Sequence, residues 1–161
     1  MSDREFWEII SPLNTSILGF AIRLLSDEEK AKDVHQDTLE KLWQKRKSLN
    51  KHKNIKSFAM TIAKNKCIDV MRREGRYIEQ RMEDIQLLTN QDFETHDMIE
   101  QIKLRMKQLP TQQRMVIELK DFQGFGNEEI GEIMGMTVNN VRVNLSRGRK
   151  FLTEYFKHEW Q

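Results

Sequence analysis

The chain has 161 residues, of which 38% are hydrophobic and 32% charged, with 27 Lys+Arg against 25 Asp+Glu. That length fits one ordinary domain or two small ones, and a split leaves each part a modest core. One cysteine, Cys67, and four widely spaced histidines (His35, His52, His96 and His158) exclude an internal disulfide and a CxxC metal site, so no metal and no cofactor are expected.

No run of about 18 apolar residues is available to span a bilayer, and MSDREFWEII lacks the basic start and apolar stretch of a signal peptide. A cytoplasmic location is expected. Only two prolines and seven glycines are present, and no stretch alternates apolar and polar residues as a half-buried strand does. The expected fold is all-α.

The first helical stripe runs Leu13, Ile17, Phe20, Ala21 and Leu24 and ends near Ser26. Ser26 or Asp27 can cap a second helix with Glu28 and Glu29 in its first turn, where negative charge suits the dipole. Its inward face is Ala31, Val34, Thr38 and Leu42. The polar loop Asn50–Asn54 leads to a third helix with Ile55, Phe58, Ala59, Ile62, Ala63, Cys67 and Val70 on its apolar face, giving a bundle that extends to about Arg76. After 81–97, Ile99, Ile102, Met106 and Leu109 share a face that Pro110 terminates. Thr111 starts a helix carrying Met115, Val116 and Leu119, which Gly124 and Gly126 interrupt. A short helix from Asn127 to Met134, a turn at Gly135 and a last helix capped by Thr137 complete the chain.

The net charge of +2 conceals strong local asymmetry. Segment 45–76 holds eleven basic residues against Asp69 and Glu74, a net +9; segment 81–101 nets −5; segment 137–161 nets +3. Two basic modules therefore flank an acidic connector, and the expected architecture is two small helical domains, 1–80 and 98–161, joined by a flexible acidic linker, 81–97. Basic modules attract polyanions because each neutralised phosphate releases condensed counterions, which makes nucleic acid the leading partner.

The second domain fits a helix-turn-helix. Gly131 is small where two helices cross, Gly135 supplies a left-handed turn, and Ile130, Met134, Met136 and Val141 form the patch between them. Past Thr137 the outward residues are Asn139, Asn140, Arg142, Asn144, Ser146, Arg147, Arg149 and Lys150. Their amides and guanidinium forks suit base edges and phosphates, and the face carries almost no acid. In the first domain Asp33, Asp37 and Glu40 fall on one helix face with Gln36 beside them. Such a stripe can be a divalent-metal cluster, a solvated face or a protein contact.

The two halves together resemble a bacterial RNA polymerase sigma factor of the minimal, extracytoplasmic-function group. The resemblance rests on Ala31-Lys-Asp-Val-His-Gln-Asp-Thr-Leu-Glu-Lys-Leu-Trp43 and Ile55-Lys-Ser-Phe-Ala-Met-Thr-Ile-Ala-Lys-Asn65, continuing to Arg73. It extends through Leu109-Pro-Thr-Gln-Gln-Arg114, Asp121–Gly126 and Glu129-Ile-Gly-Glu-Ile-Met-Gly to Arg147, covering about residues 6–156. It implies that Asp33, Gln36, Asp37, Glu40 and Trp43 bind the clamp of core RNA polymerase. It also implies that Lys51, His52, Lys53, Asn54, Lys56, Lys64, Asn65, Lys66, Arg72 and Arg73 hold an opened minus-10 strand, with Asn65 near an extruded base. The helix from Thr137 would read the duplex minus-35 element, Arg142 and Ser146 foremost, and the connector would thread the polymerase's RNA path. An anti-sigma protein is the implied regulator, and no membrane insertion is expected.

The chain departs from the family pattern twice. Gly126 stands where a serine cap is common, which deprives Glu129 of its capping-box partner and implies a weaker helix. Segment 45–57 has no aromatic residue on which opened bases could stack, and Trp43 and Phe58 are expected in the core, implying weak promoter melting. An enzyme is the weakest alternative, since the sequence holds no Ser/His/Asp or Cys/His set, glycine phosphate loop or ligand spacing, and Cys67 faces the expected core. A stand-alone helix-turn-helix regulator, with residues 1–80 for dimerisation or sensing, and an anti-sigma or adaptor protein that touches no DNA complete the rival readings.

Overall fold

The computed structural model describes residues 1–80 and 97–159, the last four by backbone alone. The expected acidic connector therefore lies outside the described residues except for Asp97. That carboxylate caps the helix that follows, accepting from the Ile99 N–H at 2.9 Å. Helices and no strand are present among the described residues.

Helix α1 (Asp3–Ile10) precedes the stripe that begins at Leu13 and has no counterpart in the periodicity. It is too short to display much of a stripe, and its signal is local. The Ser2 hydroxyl accepts from the Glu5 N–H and the Glu5 carboxylate accepts from the Ser2 N–H, both at 3.2 Å, a reciprocal capping box. A tight turn at Ser11–Leu13 containing Pro12 leads into α2 (Asn14–Leu25), which buries Ile17, Phe20, Ala21, Leu24 and Leu25. Among the described residues one stretch, Asp3–Leu25, has the length and a mean hydropathy of 1.2 compatible with crossing a membrane. The turn at Pro12 breaks it, and Phe6, Ile10, Ile17, Phe20 and Leu24 are fully buried in the protein's own core.

Of the two residues able to cap α3 (Glu28–Gln44), Asp27 does so, accepting from the Lys30 N–H at 3.1 Å. Ser26 instead closes α2 in a left-handed conformation at φ 52°. The inward face of α3 is the expected Ala31, Val34, Thr38 and Leu42. A tight helical turn, Arg46–Lys51, shortens the loop before α4 (Ile55–Arg73), which Asn54 caps through the Ser57 N–H at 3.0 Å. Helix α4 is the central element, packed against α2, α3 and, from the other half, α7 (Asn127–Met134).

The second half comprises α5 (Met98–Met106), α6 (Thr111–Ile117), a wide helical turn at Glu118–Phe122, α7 and α8 (Val138–Glu159). Pro110 precedes α6, as expected, and Met115, Val116, Leu119, Ile130, Ile133 and Val141 are fully buried.

The halves pack against each other. Ile78 and Thr111 exchange hydrogen bonds, Ile78 N–H to the Thr111 hydroxyl at 2.9 Å and Thr111 N–H to the Ile78 carbonyl at 2.8 Å. Gln123 donates to the Ser16 carbonyl at 3.2 Å. Arg23 of α2 pairs with the buried Glu118, and Arg114 donates to the Arg23 carbonyl. Burial raises the Glu118 carboxyl above the ordinary carboxylate range, against the opposing pull of Arg23 and Arg114. Burial lowers the Arg114 guanidinium in turn. Charges so placed fix how two surfaces register, because their desolvation is repaid only when the partners meet.

Candidate nucleic-acid interface

Helix α7 ends at Gly135, which is left-handed at φ 66°, and the Met136 N–H returns to the Gly131 carbonyl at 2.9 Å. A Cβ on Gly131 would lie 2.8 Å from the Met136 carbonyl oxygen, closer than real contacts permit, so only glycine fits this crossing. The Thr137 hydroxyl then accepts from the Asn140 N–H at 3.1 Å, the expected cap of α8. Gly126 contributes no side-chain cap, yet its N–H still donates to the Glu129 carboxylate at 3.4 Å, so half of the capping box survives.

This turn aims α8 outward. Val141, Leu145 and Gly148 face the core while Thr137, Asn139, Asn140, Arg142, Ser146, Arg147, Arg149 and Lys150 are exposed. Asn144 is half-buried, and its amide donates to the Asn140 carbonyl at 2.8 Å, which leaves it less free than its neighbours. Arg149 is held by Asp121 at 2.6 Å. A groove of about 650 Å³ joins Arg142, Ser146, Arg149 and Lys150 to Lys120 and Asn127. Those last two escape a sequence reading because only the fold brings the wide turn and the start of α7 beside α8.

The first half is less uniform. Lys51 and Lys53 are exposed, and His52 stacks on Phe58 with ring centroids 3.9 Å apart. Phe58 and Trp43 are therefore only partly core, since each packs against it while remaining partly exposed. Asn65 is exposed, but Lys64 is not. It lies on the inward row Ser57, Met60, Lys64, Cys67 and Met71 of a helix covered on more than one side, and burial lowers its ammonium. The structure thus removes Lys64 from the expected open cationic face. Asn54 and Ser57 both donate to the Glu129 carboxylate, at 2.7 and 3.5 Å, and the Lys56 ammonium sits 5.0 Å from the Phe125 ring. These residues lie against the helix-turn-helix half.

Lys66, Arg72 and Arg73 share a groove of about 1080 Å³ with Asp33, Gln36 and Asp37 across α3 and α4. Lys66 also lies beside Glu40. The acidic set and part of the basic set, expected to serve different partners, thus form one mixed-charge surface. Asp69 lines the same groove as Arg72 and Arg73.

This layout, a helical bundle followed by a helix-turn-helix, coincides with two conserved regions. The profile of sigma-70 region 2 matches residues 10–77, and that of sigma-70 region 4 matches residues 99–152. The chain belongs to the sigma-70 family, in its extracytoplasmic-function group. It is 29% identical over 140 residues to the RNA polymerase sigma factor YlaC of Bacillus subtilis, covering 83% of this chain and 81% of that one. It is 26% identical over 161 residues to the ECF RNA polymerase sigma factor SigE of Mycolicibacterium smegmatis, covering 94% of this chain and 62% of that one. Among solved structures, the sigma factor RpoE in complex with the anti-sigma factor NepR, from Bartonella quintana, aligns with a TM-score of 0.75 and 27% identity over 96% of this chain and 98% of that one. CnrH in complex with the cytosolic domain of CnrY, at 19% identity and a TM-score of 0.72, shares the fold. As a sigma factor, the protein binds core RNA polymerase and directs promoter-specific transcription initiation.

Proposed function

We propose that this sigma factor divides promoter recognition between its halves, with no catalysis of its own. The exposed face of α8 reads the duplex minus-35 element, Arg142 and Ser146 on base edges and Asn140, Arg149 and Lys150 on phosphates. Lys120 and Asn127 extend the phosphate grip across the groove they share with Arg149. The observation that carries this reading is the join at Gly131, Gly135 and Thr137, which turns a nearly acid-free face of α8 to solvent.

The loop Asn50–Asn54 and the exposed Asn65 hold the opened minus-10 strand. Asn54, Lys56 and Ser57 join them only when α7 moves away, because Glu129 and Phe125 occupy them in the packed form. The mixed-charge groove of α3 and α4 docks the polymerase clamp, with Asp33, Asp37 and Glu40 meeting its cations. The connector follows the polymerase's RNA path. An anti-sigma protein is the expected regulator, since the similar sigma factor RpoE is solved in complex with one. The expected location is cytoplasmic, where polymerase and promoter are.

Reconstitution with core RNA polymerase, followed by start-site mapping on genomic fragments, tests the whole reading. It should yield discrete starts preceded by two shared elements. Tight dimeric binding to a palindrome with no polymerase dependence would instead identify a stand-alone regulator.

A further inference from the structure

The first half carries an aromatic strip that the core does not consume. Trp7 of α1 stacks on Trp43 at the end of α3, with centroids 6.4 Å apart and planes 18° from parallel. Phe6 packs edge-on against both, at 4.9 and 5.1 Å. Phe6 is fully buried whereas Trp7 is 45% exposed, so the pair has a fixed base and an open top. The Arg46 guanidinium lies 4.1 Å from the Trp43 ring centroid and donates to the Trp43 carbonyl at 3.0 Å, which holds its plane in place. Its neighbour Lys45 reaches to 5.8 Å from the Phe58 ring, on which His52 is stacked. The Lys45-Arg46 pair thus joins two aromatic stacks into one strip.

On the side of the strip that runs from Lys45 into α4 the charges have one sign. No acidic residue occurs between Glu40 and Asp69, and Lys45, Lys47, Lys51 and Lys53 are exposed. Of the three acids on α1, Glu5 is occupied by the Ser2 backbone and Glu8 by Arg4 at 3.1 Å, while Asp3 is exposed at the start of the helix. Flat exposed rings beside cations that can neutralise phosphates are the chemistry of a single-stranded nucleic-acid track, in which each base offers a π face and each linkage a negative charge. A polymerase contact would suit the acidic face of α3 better than this cationic end.

We propose that Trp7, Trp43 and Arg46 form a stacking platform for unpaired bases of the opened promoter strand, continuing the track from His52 and Phe58. Trp43 then serves DNA rather than the polymerase clamp. The inference rests on the reading that the Asn50–Asn54 loop holds that strand, and it adds α1 to the surface.

The test uses holoenzyme reconstituted with core polymerase, binding a forked promoter whose minus-10 strand is unpaired. Trp7→Ala should weaken binding by about tenfold, one lost base stack, while Trp7→Phe retains most of the affinity. Core-polymerase affinity and binding to a fully duplex minus-35 fragment should not change. Fork affinity within roughly twofold of the parent overturns the platform, and so does a parallel loss of polymerase affinity. A Lys51→Ala/Lys53→Ala variant separates the two levels. If it weakens fork binding while Trp7→Ala does not, the platform alone falls. If neither variant weakens it, the opened-strand reading of the loop falls as well, and the platform with it.

Discussion

The two basic modules have different fates in three dimensions. Segment 137–161 nets +3, and the expected cations of α8 for which side chains are described, Arg142, Arg147, Arg149 and Lys150, are all exposed. Segment 45–76 nets +9, yet its charges are dispersed. Lys64 is buried, Lys56 lies against Phe125, and Lys66, Arg72 and Arg73 face carboxylates across a groove. Position in the fold explains the difference. Helix α8 keeps an exposed side from Asn139 to Lys150, whereas α4 is packed by α2, α3 and α7. A charge count along a sequence becomes a surface field only where the helix carrying it has a free face.

The largest expected effect probes whether the halves act as one unit. Glu118→Ala leaves Arg23 and the nearly buried Arg114 without their carboxylate and should cost about 3 kcal/mol or more. Urea denaturation followed separately in each half should show both transitions moving together. If only the second half shifts, the packing between halves contributes little to stability.

Gly131→Ala forces the Met136 carbonyl away from the new methyl group, a strain of about 1–3 kcal/mol confined to the helix-turn-helix. Thermal unfolding should report it, and minus-35 binding should fall while α3 still docks on polymerase. Arg142→Ala and Lys64→Ala set the modules directly against each other. Removing Arg142 should cost about 1–3 kcal/mol of minus-35 binding and relax specificity, with stability unchanged. Removing Lys64 should alter stability and leave the affinity for DNA fragments as it was. Equal losses of DNA affinity from both would erase the distinction between the open and the covered helix.

The smallest effect concerns Cys67, beside Lys64 on the inward row of α4. Burial pushes its thiol from 9.0 up to about 12, opposed by Arg114. A raised folded-state value means that the stabilisation from a neutral thiol is complete below pH 9 and is lost as pH rises through about 12. Alkylation at pH 8 should therefore be slow in the native protein and fast in urea. Rapid native labelling would show that α4 is less covered than its packing indicates.

Much of this protein follows from local chemistry that a sequence displays. The stripe Ile17, Phe20, Ala21 and Leu24, the caps at Asp27 and Thr137, the stop at Pro110 and the crossing at Gly131 with its turn at Gly135 each need only near neighbours to specify them. The exposed residues of α8 were equally legible, because a long helix with one apolar side leaves its other side predictable. Helix α1 escaped the periodicity because eight residues give barely two turns, although Ser2 and Glu5 marked its start.

What only tertiary structure decided concerns partners distant in sequence. The pairing of Arg23 with Glu118, the hold of Glu129 on Asn54 and the stacking of Trp7 on Trp43 join residues separated by 95, 75 and 36 positions, respectively. Periodicity identifies the apolar side of a helix but carries no information about how many neighbours cover it. For that reason the sequence alone determined the elements, the helix-turn-helix and the family, while the fold selected which cations of the first half remain exposed.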